Sequence, residues 1–343
     1  MKEIIGDLCH DKLVETVSQT LAFDETNDYV AWRAQVKEKF YELLGFAEIE
    51  KNGCPLSVEI EEITPQAGYI QIRFTFESER NSIVPCYLLI PDTGKEKYPV
   101  VITLQGHTTG FHNSINVAKY EIDKKWLPKN AFAIQAVQNG YAALAIEQRA
   151  FGERRTSRYP WDSRMCAYTF LTAVHLGRTI AGERAWDVSR AIDALVAMAN
   201  PKLDLDKIIL AGHSGGGTAT FYAACYDERI KIAVPCGAFC SYKTSILAMY
   251  HCACNYIPKM YNYFEMGELS CLVAPRTLLV VAGSDDPIFP LSGVESEYVK
   301  AKKIYEKAGV ADKCRLIVTQ QGHEWGGDKL WEAIRLEIIK RGW

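Results

Sequence analysis

The sequence has no long apolar run. No stretch of its 343 residues approaches the roughly 18 consecutive apolar residues that cross a bilayer. The first 21 residues carry Glu3, Asp7 and Asp11 and lack the apolar segment of a signal peptide. The sequence therefore predicts no membrane partner and a cytoplasmic location.

The chain also lacks a strong charge of one sign. It has 39 lysines and arginines against 42 aspartates and glutamates, and no basic tract. Proteins that bind nucleic acid usually carry a clustered basic surface, so nucleic acid is not an expected partner. Internal repeats and low-complexity segments are absent. The apolar share of 48% is typical of a globular protein with a large core.

Cysteine, in contrast, is abundant. The 11 cysteines lie in apolar segments such as Val234-Pro235-Cys236 and do not follow the spacing of a disulfide framework, so we interpret them as reduced, mostly buried thiols. The segment His251-Cys252-Ala253-Cys254 has ligand-type residues. Structural zinc sites usually use cysteines separated by two to four residues, and a helix would splay Cys252 and Cys254 apart. We therefore expect neither a metal nor a cofactor.

The order of predicted strands and helices indicates an α/β protein. Three β-rich stretches, Ser57–Ile63, Tyr69–Phe76 and Ile83–Ile90, predict antiparallel strands at a sheet edge. From Tyr98 onward, short apolar runs alternate with helix-like stretches, which is typical of a mainly parallel sheet with helices on both faces. The predicted fold class is α/β, with antiparallel N-terminal edge strands, helices on both faces of the sheet and inserted cap-like segments.

The order of predicted strands and helices also divides the chain into an N-terminal extension and a main domain. Apolar residues at helical spacing between Tyr29 and Leu44, followed by Gly45, predict a helix that belongs to an N-terminal helical extension over residues 1–50. Residues 51–343 form the predicted main domain. Two long, aromatic-rich stretches, at about 151–182 and 239–272, interrupt its alternation, and we interpret them as insertions near the site.

A predicted nucleophile lies between a strand and a helix. Gly212-His213-Ser214-Gly215-Gly216 matches the G-x-S-x-G pattern, with the apolar run Ile208–Ala211 before it and a helix-like stretch after it. A sharp strand-to-helix turn needs glycines because neighbouring side chains have no room. It also directs backbone N–H groups toward a developing negative charge. The sequence therefore predicts Ser214 as a catalytic nucleophile.

A serine nucleophile needs a base, and the base needs an orienting acid. In this arrangement the chain order is Ser, then Asp or Glu, then His. His323 follows the last predicted strand and is the expected base, whereas His251 is expected to be structural. Asp286, in the turn after a late strand, is the expected acid. Asp285 and Glu147 remain alternatives, although we expect Glu147 to form an ion pair with Arg149 or Arg154 that fixes the loop.

The oxyanion of the tetrahedral intermediate needs two N–H donors. One is expected from Gly215, the residue after the nucleophile, and the other from the loop after the third strand of the fold. That loop reads Gln105-Gly106-His107-Thr108-Thr109-Gly110, so the backbone N–H of His107 is the expected second donor.

These motifs together resemble the α/β-hydrolase superfamily, and within it the acetyl-xylan-esterase-like and dienelactone-hydrolase-like esterases. The resemblance spans roughly residues 30 to 340, and Gln105 stands where such esterases usually have histidine. It is carried by Gln105-Gly106-His107, Glu147 to Arg154, Gly177-Arg178-Thr179, Trp186 to Asp193, Gly212 to Gly217, Asp286-Pro287 and Gly322-His323. It implies a cofactor-free and metal-free esterase that acts on small-molecule or carbohydrate esters.

The sequence thus predicts a serine-dependent carboxylic-ester hydrolase, specific for short acyl groups such as acetyl. Two alternatives stay open: a peptidase of the prolyl-oligopeptidase type, and a non-catalytic ligand-binding protein on a hydrolase scaffold. The roughly 90 residues before Tyr98 are too few for the β-propeller that usually accompanies such a peptidase. Homo-oligomerisation is a further expectation that the sequence leaves open.

Overall fold

A nine-stranded sheet forms the centre of the computed structural model, which describes residues 5–158 and 165–343. The strand order is β1-β2-β3-β5-β4-β6-β7-β8-β9. The first three strands are antiparallel, β3 pairs antiparallel with β5, and every later pair is parallel. The strands are β1 (Val58–Gln66), β2 (Tyr69–Glu79), β3 (Ser82–Pro91), β4 (Tyr98–Leu104), β5 (Ala142–Ile146), β6 (Leu203–His213), β7 (Ile230–Cys236), β8 (Thr277–Gly283) and β9 (Cys314–Thr319).

Helices cover both faces of this sheet, because the side chains of successive strand residues point to opposite faces and both sets are apolar. The described helices are α1 (Leu8–Thr16), α2 (Tyr29–Leu44), α3 (Phe46–Glu50), α4 (Phe132–Gln138), α5 (Met165–His175), α6 (Ile180–Met198), α7 (Gly215–Tyr226), α8 (Met266–Val273), α9 (Leu291–Lys307) and α10 (Gly327–Arg341). The sheet and its two helical layers confirm the predicted fold class.

Two hydrophobic cores lie on the two sides of the sheet. The larger core packs α2, α3, α6, α7, α8 and α9 against one face. The smaller core packs α4 and α10 against the other face. In β7, for example, Ile232 and Val234 belong to the smaller core and Ala233 to the larger one. Each parallel strand therefore contributes to both cores, which fixes its register relative to its neighbours.

The N-terminal helices α2 and α3 belong to the larger core. Asp28 caps α2 by accepting hydrogen bonds from the N–H groups of Val30 and Ala31, and Gly45 ends it with a φ of 76°. Trp32 and Phe40 of α2 are buried against the sheet side of the molecule. Leu21 and Phe23, which precede α2, pack against the same core, whereas α1 has no buried residue.

The two predicted insertions differ from expectation in their local structure. The first stretch contains α5 and runs into the start of α6, while residues 159–164 lie outside the described residues. The second stretch has short 3-10 turns and ends in α8, whose eight residues are all buried. Its predicted helix around His251 is wrong: Cys252 is extended, and only Ala253–Asn255 form a single 3-10 turn.

No helix among the described residues is both long and apolar enough to cross a membrane.

Candidate active site

Ser214 lies at a strained turn between β6 and α7. Its φ of 55° and ψ of −123° are unfavourable for a residue with a side chain. The turn is held by a 2.9 Å hydrogen bond from the Ser214 N–H to the carbonyl of Cys236. A Cβ on Gly216 would lie 2.2 Å from the Leu104 carbonyl oxygen, and one on Gly212 would lie 2.3 Å from the carbonyl oxygen of Gly216. The glycines of the motif therefore let the turn pack directly on β4.

His323 and Asp286 form a hydrogen-bonded pair near this turn. Asp286 follows β8 and His323 follows β9, so adjacent parallel strands bring them to the same edge of the sheet. Nδ1 of His323 lies 2.8 Å from Oδ2 of Asp286. The other oxygen of Asp286 accepts from the N–H groups of Ile288, at 2.8 Å, and Phe289, at 3.0 Å. Both carboxylate oxygens are thus held in place.

The environment of Asp286 favours its charged form. Burial alone would raise the pKa of this carboxyl, but the hydrogen bond with His323 and the two backbone N–H donors lower it below the ordinary value. The neighbouring Asp285 is exposed, and its carboxylate accepts from the Ser284 hydroxyl instead. Of the two adjacent aspartates, Asp286 is therefore the one that can orient His323.

The end of β7 connects the serine turn to the His323–Asp286 pair. Cys236 accepts the hydrogen bond from Ser214, and the next residue, Gly237, lies against the pair. A Cβ on Gly237 would be 3.3 Å from Nδ1 of His323 and 3.4 Å from Oδ2 of Asp286. Sequence analysis did not identify Gly237, although its position directly after a buried strand is a usable signal.

Two aromatic rings enclose the imidazole of His323. The Phe289 ring is stacked on it, with ring centroids 5.7 Å apart, and the His213 ring centroid lies at 4.7 Å. Burial lowers the pKa of His213 to about 3, so this second imidazole is neutral and does not compete for the charge of Asp286. His251 hydrogen-bonds the Ser245 hydroxyl at 3.1 Å and contacts Phe289.

The loop after β4 lies against the start of α7. A Cβ on Gly106 would be 3.1 Å from Cβ of Ser214, and a Cβ on Gly215 would be 2.7 Å from Cε1 of His107. Within the described part of the chain, the N–H groups of His107 and Gly215 donate to no protein acceptor. Two backbone donors beside the serine are therefore available to an anion.

The carboxylate of Glu147 holds the loop after β4 in place through hydrogen bonds. It is fully buried after β5 and accepts hydrogen bonds from Nε2 of Gln105, at 2.8 Å, and from the N–H groups of Phe111 and Glu153. Burial raises the pKa of Glu147 to about 8 despite these donors. Gln105, which stands in place of the usual histidine, thus joins the β4 loop to the β5 loop.

The expected ion pair of Glu147 with Arg149 or Arg154 is wrong for the described residues. Arg154 donates to the backbone carbonyl of Glu147 at 3.1 Å and forms its ion pair with Asp187. Arg149 instead binds Asp187 on α6 with two hydrogen bonds, of 3.0 and 2.9 Å, and forms ion pairs with Glu79 and Glu183. The pair was misassigned because the partners of Arg149 are distant in sequence, whereas Glu147 is turned toward the β4 loop.

A cleft of about 680 Å³ opens beside His323. It reaches His213 and His323 and is bordered by Trp126, Lys129 and Gln321. A space of this size accommodates a small molecule.

A group of metal-ligand side chains lies next to the β4 loop. One nitrogen of His107 and the sulfurs of Cys166, Cys252 and Cys254 all lie within 4.8 Å of one another. The expected separation of the Cys252 and Cys254 thiols is wrong, because the segment is not helical and their sulfurs are 3.4 Å apart. Cys166 was missed because it lies in a different segment.

Comparisons with known proteins agree with this fold. A Bacillus subtilis (strain 168) protein named "Putative hydrolase YtaP" is 26% identical over 298 residues, which cover 85% of this chain and 94% of that protein. The structure of a Bacteroides fragilis NCTC 9343 protein named "putative acetyl xylan esterase" matches with a TM-score of 0.75 at 15% identity, over 93% of this chain and 83% of that one.

A glucuronoyl esterase from Teredinibacter turnerae T7901 matches with a TM-score of 0.68 at 17% identity, over 96% of this chain and 90% of that one. The model of a family described as the Abhydrolase family matches residues 9–306. The predicted α/β-hydrolase resemblance and the predicted hydrolase class are confirmed. The chain belongs to the Abhydrolase family.

Proposed function

We propose that the protein is a serine-dependent carboxylic-ester hydrolase that removes short acyl groups, such as acetyl, from carbohydrate or small-molecule esters. The observation that carries the proposal is the strained turn at Ser214 beside a half-buried His323 whose Nδ1 is held 2.8 Å from Asp286. That combination supplies a nucleophile, a base and an orienting acid in the order that the fold requires.

The reaction proceeds through an acyl-enzyme. Oγ of Ser214 attacks the ester carbonyl while Nε2 of His323 accepts the hydroxyl proton, and Asp286 stabilises the resulting imidazolium. The N–H groups of Gly215 and His107 donate to the oxyanion. Collapse of the tetrahedral intermediate expels the alcohol, which takes the proton from His323. A water molecule, activated by the same imidazole, then releases the carboxylic acid and restores the serine.

The choice of substrate class is supported by the similar structures. Those named as an acetyl xylan esterase, a glucuronoyl esterase and a methylesterase all act, by their names, on esters. The cleft beside His323 has mixed polar and aromatic walls, as a carbohydrate site needs. Against a prolyl-oligopeptidase-type enzyme, the described residues before Tyr98 form helices and three edge strands rather than propeller blades.

A cytoplasmic location is part of this proposal. All 11 cysteines are unpaired, and eight of them are buried. Unpaired thiols in this number suit a reducing compartment. Homo-oligomerisation stays a proposal that size-exclusion chromatography with light scattering would test.

Hydrolysis of p-nitrophenyl acetate, butyrate and octanoate by the purified protein tests the proposed function. We expect turnover that decreases with acyl length and that falls by several orders of magnitude in Ser214→Ala. Ser292→Ala is the matched control, because Ser292 is an exposed serine at the start of α9. Circular dichroism verifies that both variants fold.

Labelling by a fluorophosphonate probe separates the alternatives. Labelling at Ser214 without turnover would show a working nucleophile and a wrong substrate class. Absence of both turnover and labelling in the folded protein would refute the enzyme and favour a ligand-binding protein. Turnover retained in Ser214→Ala would refute the assigned nucleophile.

A further inference from the structure

We propose that His107, Cys166, Cys252 and Cys254 form a structural zinc site that ties the insertions to the β4 loop. The four side chains come from three separate segments of the chain, and no described contact of the proposed ester hydrolysis uses the three sulfurs. Three cysteines and one histidine are a common ligand set for structural zinc.

The spacing of the ligand atoms fits a tetrahedral zinc ion. Nε2 of His107 lies 3.3 Å from Sγ of Cys254, which lies 3.4 Å from Sγ of Cys252. All four ligand atoms lie within 4.8 Å of one another. With Zn–S distances of about 2.3 Å, tetrahedral geometry keeps sulfur ligands roughly 3.8 Å apart. Shifts of a few tenths of an ångström to about one ångström would complete the site.

The charge beside the sulfurs supports bound thiolates. Arg184 is buried, and its guanidinium donates to Sγ of Cys254 at 3.4 Å and to Sγ of Cys166 at 3.7 Å. Its other hydrogen bonds go to the carbonyl of Arg149, and it forms no ion pair with a carboxylate of the described residues. A zinc ion with three thiolates and one imidazole carries a net charge of −1, which a buried guanidinium donating to the sulfurs would balance.

Burial also fits a structural site. Cys166 and Cys254 are buried and Cys252 is half-buried, while His107 retains exposed surface. With four protein ligands, the ion has no open position for water, so it would not supply a catalytic hydroxide. Its effect would be to hold the imidazole of His107 over Gly215 and thereby to fix the backbone of the β4 loop. Because metal content is the readout, the test is independent of ester hydrolysis.

Zinc content is measured by inductively coupled plasma mass spectrometry. The protein is expressed with zinc in the medium, purified without a metal-affinity column and gel-filtered in reducing buffer. We expect about one zinc per chain, reduced at least tenfold in Cys254→Ser and Cys252→Ser. Cys271→Ala is the matched control, because Cys271 is a buried thiol in α8, away from the cluster. It should retain the zinc of the wild type.

A second measurement keeps the proposal testable if a cysteine variant does not fold. Cobalt added to metal-free wild-type protein should give a thiolate-to-metal charge-transfer band and tetrahedral d–d bands in a one-to-one titration. Wild-type protein that contains less than a tenth of a zinc per chain and gives no cobalt spectrum would overturn the proposal. So would a Cys252–Cys254 disulfide found by peptide mass spectrometry after thiol blocking of the protein as isolated.

Discussion

The buried carboxyl of Glu147 should make the folded protein less stable as the pH rises. Burial raises its pKa from 4.5 to about 8 in the folded state. The folded state therefore binds a proton that the unfolded chain has released. The contribution of this proton to stability is fully present below about pH 4.5 and is lost as the pH rises toward about 8.

The size of the effect follows from those two pKa values. Between them, each pH unit lowers the free energy of unfolding by about 1.4 kcal/mol. From pH 5 to pH 7 the loss amounts to about 2.5 kcal/mol. Glu147→Gln has no proton to lose, so this part of the pH dependence should vanish. The variant also points an amide donor toward the Glu153 N–H, which adds a cost that is independent of pH.

Urea unfolding followed by tryptophan fluorescence at pH 5, 6, 7 and 8 measures the difference. Glu59→Gln is the matched control, because Glu59 is exposed on β1. The wild type and the control should lose stability in parallel. Between pH 5 and pH 7, the free energy of unfolding of Glu147→Gln should fall by about 2.5 kcal/mol less than that of the wild type. Parallel curves for wild type and Glu147→Gln would refute the protonated, buried carboxyl.

Two further substitutions test the site and its support. Asp286→Asn should lower kcat for p-nitrophenyl acetate by about a thousandfold or more with the fold retained, because the neutral amide does not stabilise the imidazolium of His323. A loss of less than tenfold would contradict the role of Asp286. Asp187→Asn should lower the free energy of unfolding by about 3 kcal/mol, because Arg149 and Arg154 both lose the charge of this buried carboxylate. An unchanged urea midpoint would show that Glu79 and Glu183 suffice for Arg149.

The residues that the sequence identified are those whose placement follows from local sterics and chain order. The turn at Ser214 has no room for side chains at the neighbouring glycines, so the glycine motif in the sequence is enough to predict the turn. Asp286 and His323 each follow a strand, and adjacent parallel strands end at the same edge of the sheet. Their proximity is therefore predictable without knowledge of side-chain packing.

The residues that the sequence missed depend on packing between distant segments. Cys166 and Cys254 share Arg184 as a neighbour, although 88 positions separate them in the chain. The partner of Arg149 is decided by which carboxylate is already occupied, and Glu147 is held by Gln105. No local pattern contains that information.

The positions of α2 and α8 in the core also could not be predicted from local sequence patterns. The periodicity of α2 predicts its bounds, with Gly45 as the stop, but it does not say that Trp32 joins the main core. In α8 all eight residues are buried, so it has no polar face from which a position in the core could be inferred. It was therefore predicted as part of an insertion.

The burial of α7 has a consequence for how this protein can change. Every residue from Gly215 to Cys225 is buried, so the helix that carries the nucleophile has no side on which substitutions are free. Trp126 and Lys129, which border the cleft, are in contrast exposed. Laboratory selection for a new ester should therefore accumulate changes along the wall of the cleft and leave α7 untouched, so that substrate preference changes while the reacting atoms keep their positions.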